Sequence, residues 1–118
     1  EINVVNDQIG SPTNASDLAK VVLNIIPKIQ NNIVEIYHYS NEGNCSWYQL
    51  AKAIFEIMKI KISVNPVESN KYKTIAVRPL YSVLCNKKIK NKYNLDIKQW
   101  RESLRLVLQN KEFKNISN

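Results

Sequence analysis

The sequence predicts an α/β fold, in which short strands alternate with amphipathic helices. Apolar residues fill positions 2–5, and the next apolar residues return at helical spacing as Leu18, Val21, Val22, Ile25 and Ile29. A β-branched and aromatic run at 33–39 precedes a second segment with helical spacing, and a third strand-like run lies at 60–66. Strands and helices in this order are typical of α/β proteins. The 118 residues suffice for one hydrophobic core, so we expect a single unit spanning 1–118.

The first half of the chain contains two predicted helices separated by a strand. The first helix should begin between Asn14 and Ser16, where a capping side chain is followed by an acid, and should end by Pro27. The run at 33–39 predicts a short, largely buried strand that ends at a polar loop. Ser46 and Gln49 form a capping-box pattern that opens the second helix. Its predicted apolar face consists of Trp47, Leu50, Ala51, Ile54, Ile57 and Met58.

The second half begins with an alternating run at 60–66, which predicts a strand with one solvated face near a sheet edge. A polar connection follows at 68–81, and residues 82–84 predict one more short extended piece. Asn86 or its neighbour can cap a small helix that reaches about Lys92. The last helix is predicted from Ile97 to Gln109, with its apolar face formed by Trp100, Leu104, Val107 and Leu108.

Composition excludes several classes of function. The net charge of +7 comes mostly from lysines that are spread from Lys20 to Lys114, a pattern typical of a solvated surface and not of a nucleic-acid interface. No apolar run approaches the length of a membrane span, and no signal peptide opens the sequence. Cys45 and Cys85 lie far apart and His38 is the only histidine, so we expect a reduced cytoplasmic protein without a metal site.

Catalytic motifs are missing from the sequence. Gly10 and Gly43 are isolated, so there is neither a phosphate-binding loop nor a dinucleotide fingerprint. No tyrosine has a lysine four residues later, and a single histidine does not support a Ser-His-Asp set. We therefore expect no catalytic residue within this chain, and only candidates for binding remain.

Two stretches are candidates for binding. The loop that contains Gly10 and Pro12 is either a plain strand-to-helix turn, since glycine tolerates positive φ and proline fixes φ, or a loop that faces a ligand. Arg78, followed by Pro79, either contacts a phosphate in bidentate fashion or closes a surface salt bridge. Trp47 and Trp100 lie on apolar helix faces, which favours core packing over ligand stacking.

Four ordered motifs between about residues 2 and 108 resemble one family. The segment from Val4 to Thr13, with Asp17-Leu18-Ala19 behind it, resembles the V-V-x-D-Q-x-G-S-P-T…D-L-A segment of dTDP-4-dehydrorhamnose reductases. The other three motifs are Ile36-Tyr37-His38 leading to Cys45-Ser46-Trp47-Tyr48, Arg78-Pro79 before Ser82-Val83-Leu84, and Trp100-Arg101-Glu102-Ser103-Leu104. Two positions depart from the family: Val77 stands where a second basic residue is common, and Cys85 replaces an aspartate whose capping role Asn86 can take.

This resemblance implies that the chain is the carboxy-terminal, substrate-binding portion of an extended short-chain dehydrogenase/reductase. The cofactor, NADPH or NADH, and the catalytic tyrosine and lysine would then belong to an amino-terminal dinucleotide-binding half that the sequence lacks. The implied ligand is a dTDP-sugar, on the way to dTDP-L-rhamnose for cell-surface polysaccharide. The residues implied to bind it are Gln8, Gly10, Ser11, Pro12, Thr13 and Arg78. The sequence leaves open whether the chain associates with copies of itself.

Two other functions fit the same fold. A non-catalytic regulatory subunit, of the type of the methionine adenosyltransferase beta subunit, is the first, and Cys45-Ser46-Trp47-Tyr48 favours the reductase over it. A related nucleotide-sugar epimerase or dehydratase is the second. The intact Gly10-Ser11-Pro12-Thr13 weighs against this second alternative.

Overall fold

The structure, a computed structural model, describes residues 1–30, 33–71 and 75–109. In chain order its elements are β1 (Ile2–Val5), β2 (Ile9–Gly10), α1 (Ala15–Ile25), β3 (Cys45–Ser46), α2 (Trp47–Met58), β4 (Val64–Val67), α3 (Lys87–Tyr93) and α4 (Trp100–Gln109). Short 3-10 turns follow α1 at Ile26–Lys28 and β4 at Ser69–Lys71. The α/β class predicted from the sequence is confirmed.

Two small sheets organise the described residues. β1 and β4 pair in parallel, with Ile2 opposite Val64 and Val5 opposite Val67. β2 and β3 pair antiparallel, with Ile9 opposite Ser46 and Gly10 opposite Cys45. α2 follows β3 directly and packs against β1, β4 and α4, so it forms the centre of the molecule.

Helices α1 and α2 confirm the predictions made from local signals. The Asn14 side chain accepts a hydrogen bond from the Ser16 amide at the start of α1. At the start of α2, Ser46 Oγ accepts from the Gln49 amide at 3.1 Å, while Gln49 Oε1 accepts from the Ser46 amide at 2.9 Å. The predicted capping box is therefore present, and it satisfies donors that a helix start otherwise leaves unpaired.

The predicted strand at 33–39 is wrong. Within the described residues no strand pairs with this segment, and Ile33, Val34 and Ile36 are 72%, 92% and 75% exposed. Contacts with α3 hold it instead: the rings of Tyr37 and Tyr93 meet edge to face at 5.5 Å, and a lysine of α3 donates to the Ile36 carbonyl. An extended segment becomes a strand only where a neighbouring strand accepts its backbone hydrogen bonds.

Three further boundaries differ from the prediction because the pairing partners are short. The strand expected at 60–66 is Val64–Val67, since β1 pairs with it over four residues. Residues 82–84 form no strand, because β2 has only two residues and its contact with this loop ends in an isolated bridge between Ile9 and Tyr81. The last helix begins at Trp100, since residue 99 is still extended and pairs with Glu42.

Asn86 stands at the predicted N-cap of α3, but its side chain does not cap the helix. Both of its amide atoms are used elsewhere: Oδ1 accepts from the Ser40 amide at 3.1 Å, and Nδ2 donates to the Ser40 carbonyl at 2.8 Å. The cap predicted for Asn86 is therefore wrong. Its side chain ties α3 to the loop before β3.

Candidate functional site

The loop after β1 is anchored by its first two residues. Ser46 Oγ donates to Asn6 Oδ1 at 2.7 Å, which ties the loop to the start of α2. Asp7 accepts hydrogen bonds from the hydroxyl and the amide of Ser69, at 2.8 Å and 3.0 Å. These two bonds, the hydroxyl's first, hold the pKa of Asp7 below its usual value. The loop thus leaves the carboxyl end of a parallel strand in a fixed direction, the place where α/β proteins commonly bind ligands.

Strand β2 then contacts two other stretches of the chain, residues 45–46 and residues 80–82. On one side it pairs with Cys45–Ser46. On the other side the Ile9 amide donates to the Leu80 carbonyl at 2.8 Å, and the Ser82 amide donates to the Ile9 carbonyl at 2.9 Å. This pairing brings the loop that carries Arg78 to within reach of the loop at 8–13.

A cavity of about 570 Å³ opens between these loops. All the residues that the sequence analysis names as ligand-binding candidates line this cavity: Gln8, Gly10, Ser11, Pro12, Thr13 and Arg78. The lining also includes Ile9, Ser40, Cys45, Ser46, Trp47, Leu50, Pro79, Ser82 and Leu84. The structure therefore groups the candidates that are seventy residues apart in sequence around one space.

The electrostatic character of the cavity is set by Arg78. Of the described residues that line it, Arg78 alone carries a charge. Its guanidinium is exposed and makes neither an ion pair nor a hydrogen bond within 1–30, 33–71 and 75–109. The salt bridge considered as the alternative for Arg78 is not formed in this part of the chain. A guanidinium that has no partner among the described residues, in a cavity whose other lining residues are uncharged and largely apolar, suits an anionic ligand.

The loop residues divide into two groups by their hydrogen bonds. Ser11 Oγ donates to the Gly43 carbonyl at 2.9 Å, and Thr13 Oγ1 donates to the Ser11 carbonyl at 3.1 Å. These two hydroxyl protons are therefore donated to backbone carbonyls of the chain and hold the loop in place. The Gln8 amide makes no hydrogen bond to the described residues and is half-buried at the cavity wall.

A buried polar cluster fixes the far end of the loop. Asn41, 1% exposed, accepts from the Asn14 amide at 2.8 Å and donates to Asp17 Oδ2 and Ser103 Oγ, each at 3.0 Å. Desolvation acts to raise the pKa of Asp17, but hydrogen bonds from Ser103 and Asn41 and the nearby Lys98 outweigh it and lower the pKa below its usual value. Asp17 is therefore ionised at neutral pH and holds α1, α4 and the 40–44 loop together.

Trp47 corrects a prediction. The helical spacing placed it in the core, yet its side chain is 51% exposed and lines the cavity. It is the first residue of α2, so it lies beyond the part of the helix that packs on the sheet. Helical spacing does not distinguish a residue that packs in the core from one that lines the cavity. The sequence signal that could have placed Trp47 at the cavity is its position next to Ser46, whose side chain contacts Asn6 of the candidate loop.

Cys45 also lines the cavity and was not predicted to do so. Burial raises the pKa of its thiol to about 11, with a small opposing effect of Arg101. The thiol is thus protonated at neutral pH and is not a nucleophile there. Across the described ranges no three side chains of the metal-binding types are grouped, and no helix is both long and apolar enough to cross a membrane.

Fold and cavity together define an α/β module in which, among the described residues, one guanidinium faces a cavity with an uncharged and largely apolar lining. The family model described as "RmlD substrate binding domain" matches residues 1–113. The chain belongs to this family, which confirms the resemblance seen in the sequence.

Individual relatives agree with the family match. The chain is 41% identical over 109 residues to the spore coat polysaccharide biosynthesis protein SpsK of Bacillus subtilis, covering 92% of this chain and 37% of that protein. It is 33% identical over 116 residues to a dTDP-4-dehydrorhamnose reductase of Sinorhizobium fredii, covering 92% of this chain and 39% of that one. The chain thus spans less than two fifths of the length of these curated relatives.

Solved structures show the same fold. A dTDP-4-dehydrorhamnose reductase from Bacillus anthracis, in complex with NADP, superimposes with a TM-score of 0.81 and 36% identity over 89% of this chain and 36% of that one. The Clostridium acetobutylicum dTDP-4-dehydrorhamnose reductase gives a TM-score of 0.81 and 34% identity over 98% of this chain and 38% of that one. The prediction that the chain corresponds to part of an extended short-chain dehydrogenase/reductase fold is confirmed.

Proposed function

We propose that this chain is the nucleotide-sugar-binding part of a cytoplasmic, NADPH-dependent reductase that converts dTDP-4-dehydro-L-rhamnose to dTDP-L-rhamnose. The observation that carries this proposal is the Arg78 guanidinium, which has no partner among the described residues and lies in the cavity lined by the loop at 8–13. Family membership and the names of the relatives support the same reaction. The name of the Bacillus subtilis relative supports a place in polysaccharide biosynthesis.

The residues of the cavity have distinct roles in this proposal. Arg78 binds the diphosphate, because a guanidinium makes paired, charge-assisted hydrogen bonds to phosphate oxygens. Gln8 donates to or accepts from the sugar nucleotide through its free amide. Gly10, Ser11, Pro12 and Thr13 shape the wall, since the Ser11 and Thr13 hydroxyls already donate to backbone carbonyls. NADPH supplies the hydride when bound, and this chain binds and orients the substrate that receives it.

A second unit is part of the proposal. The sequence has no dinucleotide fingerprint, so the described residues do not offer the usual cradle for NADPH or NADH, and we assign the cofactor to a dinucleotide-binding half. The exposed apolar side chains support a packing partner of this kind. Many of them lie on α1, on or just after its 3-10 extension, and on the segment 33–36, as Val22, Leu23, Ile26, Ile29, Ile33, Val34 and Ile36.

The backbone of residues 33–39 also supports a packing partner for this chain. No amide between residues 33 and 39 donates a hydrogen bond to a described residue, although the sequence there is strongly strand-forming. An adjacent strand of the second unit would satisfy these donors. The strand predicted at 33–39 would then form in the complete reductase.

The alternatives have less support. None of the relatives reported above carries the name of a regulatory subunit of the methionine adenosyltransferase type. A nucleotide-sugar epimerase or dehydratase would share the diphosphate contact, but the relatives reported above carry reductase or polysaccharide-biosynthesis names. Both alternatives are therefore less favoured than the reductase.

Substitution of Arg78 tests the proposal. In the complete reductase, Arg78→Ala should weaken dTDP-sugar binding by about 1.5 to 3 kcal/mol, the contribution of a hydrogen bond to a charged group, with little change in thermal stability. Gln8→Ala should weaken it by less, because a neutral amide makes a neutral hydrogen bond. Titration calorimetry with the nucleotide sugar and steady-state kinetics provide the measurement.

Arg105→Ala is the matched control, because Arg105 is an exposed arginine of α4 that does not line the cavity. It should leave both affinity and turnover unchanged. An Arg78→Ala enzyme with unaltered KM and kcat would remove Arg78 from the site and with it the main support for the proposal.

A further inference from the structure

A second, smaller cavity adjoins the one described above. It has a volume of about 300 Å³ and lies beside β1. Its lining consists of Asn3, Val4, Val5, Gln8, Trp47, Ser69 and Arg78. Gln8, Trp47 and Arg78 line both cavities, so these three side chains form the boundary between two adjoining chambers.

Trp47 differs from every other described residue of the two linings because it is the only aromatic one. Half of its indole surface is exposed, so a ligand in either cavity has access to the ring. Its backbone is fixed by the capping box at Ser46 and by the Asn6 contact of that serine. The indole is thus an apolar flat surface on a rigid support, next to a guanidinium.

We infer that Trp47 is a ligand contact, on which the pyrimidine base of a nucleoside diphosphate sugar stacks while Arg78 binds the diphosphate. This inference rests on the proposed function. The base is the better partner for the indole, because every nucleobase has a π face and stacking on an aromatic side chain does not depend on base identity. The hexose must reach a cofactor that we assign to another part of the protein, so the nucleoside is the end of the ligand that is left for Trp47.

The two chambers suit the two ends of such a ligand. The smaller one combines Trp47 with the apolar Val4 and Val5, which matches the faces of a base. The larger one carries the hydroxyl oxygens of serines and a threonine, which act as acceptors for the hydroxyl groups of a sugar. Arg78 at the boundary lies where the diphosphate connects them.

The test uses the complete reductase with dTDP and inorganic pyrophosphate as separate probes in titration calorimetry. Trp47→Leu, which keeps an apolar side chain but removes the π surface, should weaken dTDP binding roughly 5- to 100-fold. Pyrophosphate binding should not change, because it has no base. Trp47→Phe should restore part of the affinity, and Trp100→Phe, a substitution outside both linings, should have no effect.

Fluorescence gives a second measurement that survives if Trp47→Leu folds poorly. dTDP should quench the tryptophan emission of the wild type and of Trp100→Phe, and this quenching should be reduced in Trp47→Phe. Unchanged dTDP affinity in a folded Trp47→Leu enzyme overturns the inference, and so does a loss seen only with the dTDP-hexose, which would assign the indole to the sugar. If the wild type itself does not bind dTDP, the proposed function fails as well.

Discussion

Two glycines of the site region are required for different reasons. Gly43 has a φ of +84°, and a Cβ there would lie 2.7 Å from Gln99 Oε1 and 3.0 Å from Trp100 Cδ1. Gly10 has no positive φ, so the strand-to-helix turn does not explain it. Its Cβ would meet only Ser82 Oγ, at 3.2 Å. Gly10 permits the close approach of the loop that carries Arg78, whereas Gly43 permits a backbone conformation.

The first prediction compares these positions. Gly43→Ala should lower the free energy of unfolding by more than about 1 kcal/mol, because the substitution imposes both an unfavourable φ and a steric conflict. Gly10→Ala should cost less, because the tip of a serine side chain can rotate away. Urea denaturation of both variants gives the comparison. Equal losses of unfolding free energy in the two variants would mean that the positive φ of Gly43 is not a reason why glycine is needed there.

At the scale of elements, the start of α2 connects folding to binding. Ser46 caps the helix, receives the Gln49 side chain at its amide and donates to Asn6 of the candidate loop. The residue that follows it is Trp47, whose position depends on this cap. A change at Ser46 should therefore affect stability and ligand affinity together.

The second prediction concerns Ser46→Ala. Removal of an N-cap hydroxyl costs about 0.5 to 2 kcal/mol, and we expect the upper part of this range because the Asn6 contact is lost as well. Ser46→Thr retains a hydroxyl acceptor and should recover most of the stability. Chemical denaturation monitored by circular dichroism measures the effect. A Ser46→Ala protein as stable as the wild type would show that the capping box does not contribute to the fold.

The helices were predictable because their signals are local. Asn14 and Ser46 stand next to the residues that they cap, so a short window of sequence contains the whole interaction. The strand at 33–39 was not predictable in this way, because pairing depends on a neighbour that lies elsewhere. Asn86 failed for a related reason: its amide is committed to Ser40, forty-six residues earlier in the chain.

The grouping of the site followed from the sequence only through the resemblance. The residues Gln8 to Thr13 and Arg78 meet because β2 pairs with residues 45–46 and contacts residues 80–82, and no local pattern of a two-residue strand predicts this. The role of each of these residues in binding stays a prediction. Trp47 was missed because an apolar stripe has the same spacing whether its first residue packs inward or lines a cavity.

At the scale of the whole molecule, the distribution of apolar surface is the main feature. Buried apolar residues are few in the described ranges, at Cys45, Ala53, Ile89 and Ile97. Large apolar side chains on α1 and on the segment 33–36 are exposed instead. A second unit that covers them would complete the core and the strand at 33–39. The relatives, of which this chain spans less than two fifths, have the length for such a unit.

The third prediction follows from the proposal that this chain binds the nucleotide sugar and a second unit binds the cofactor. The 118-residue chain alone should neither bind NADPH tightly nor turn over a dTDP-keto-sugar, because it lacks the glycine-rich cradle for a dinucleotide. Titration calorimetry with NADPH measures the first property, and the complete reductase serves as the positive control. One-to-one micromolar binding to the chain alone would mean that the cofactor site has been assigned to the wrong unit.

Hydrogen exchange in the same two samples separates a missing cofactor site from a chain that fails to fold. The amides of residues 33–39 donate to no described residue, so they should exchange rapidly in the chain alone. They should exchange slowly in the complete reductase, where we propose that a neighbouring strand accepts their hydrogen bonds. The amides within α2 should be protected in both samples, because their partners lie within the helix. Rapid exchange throughout α2 in the chain alone would attribute the loss of NADPH binding to unfolding. Rapid exchange at 33–39 in the complete reductase would instead reject the strand pairing on which the two-unit arrangement depends.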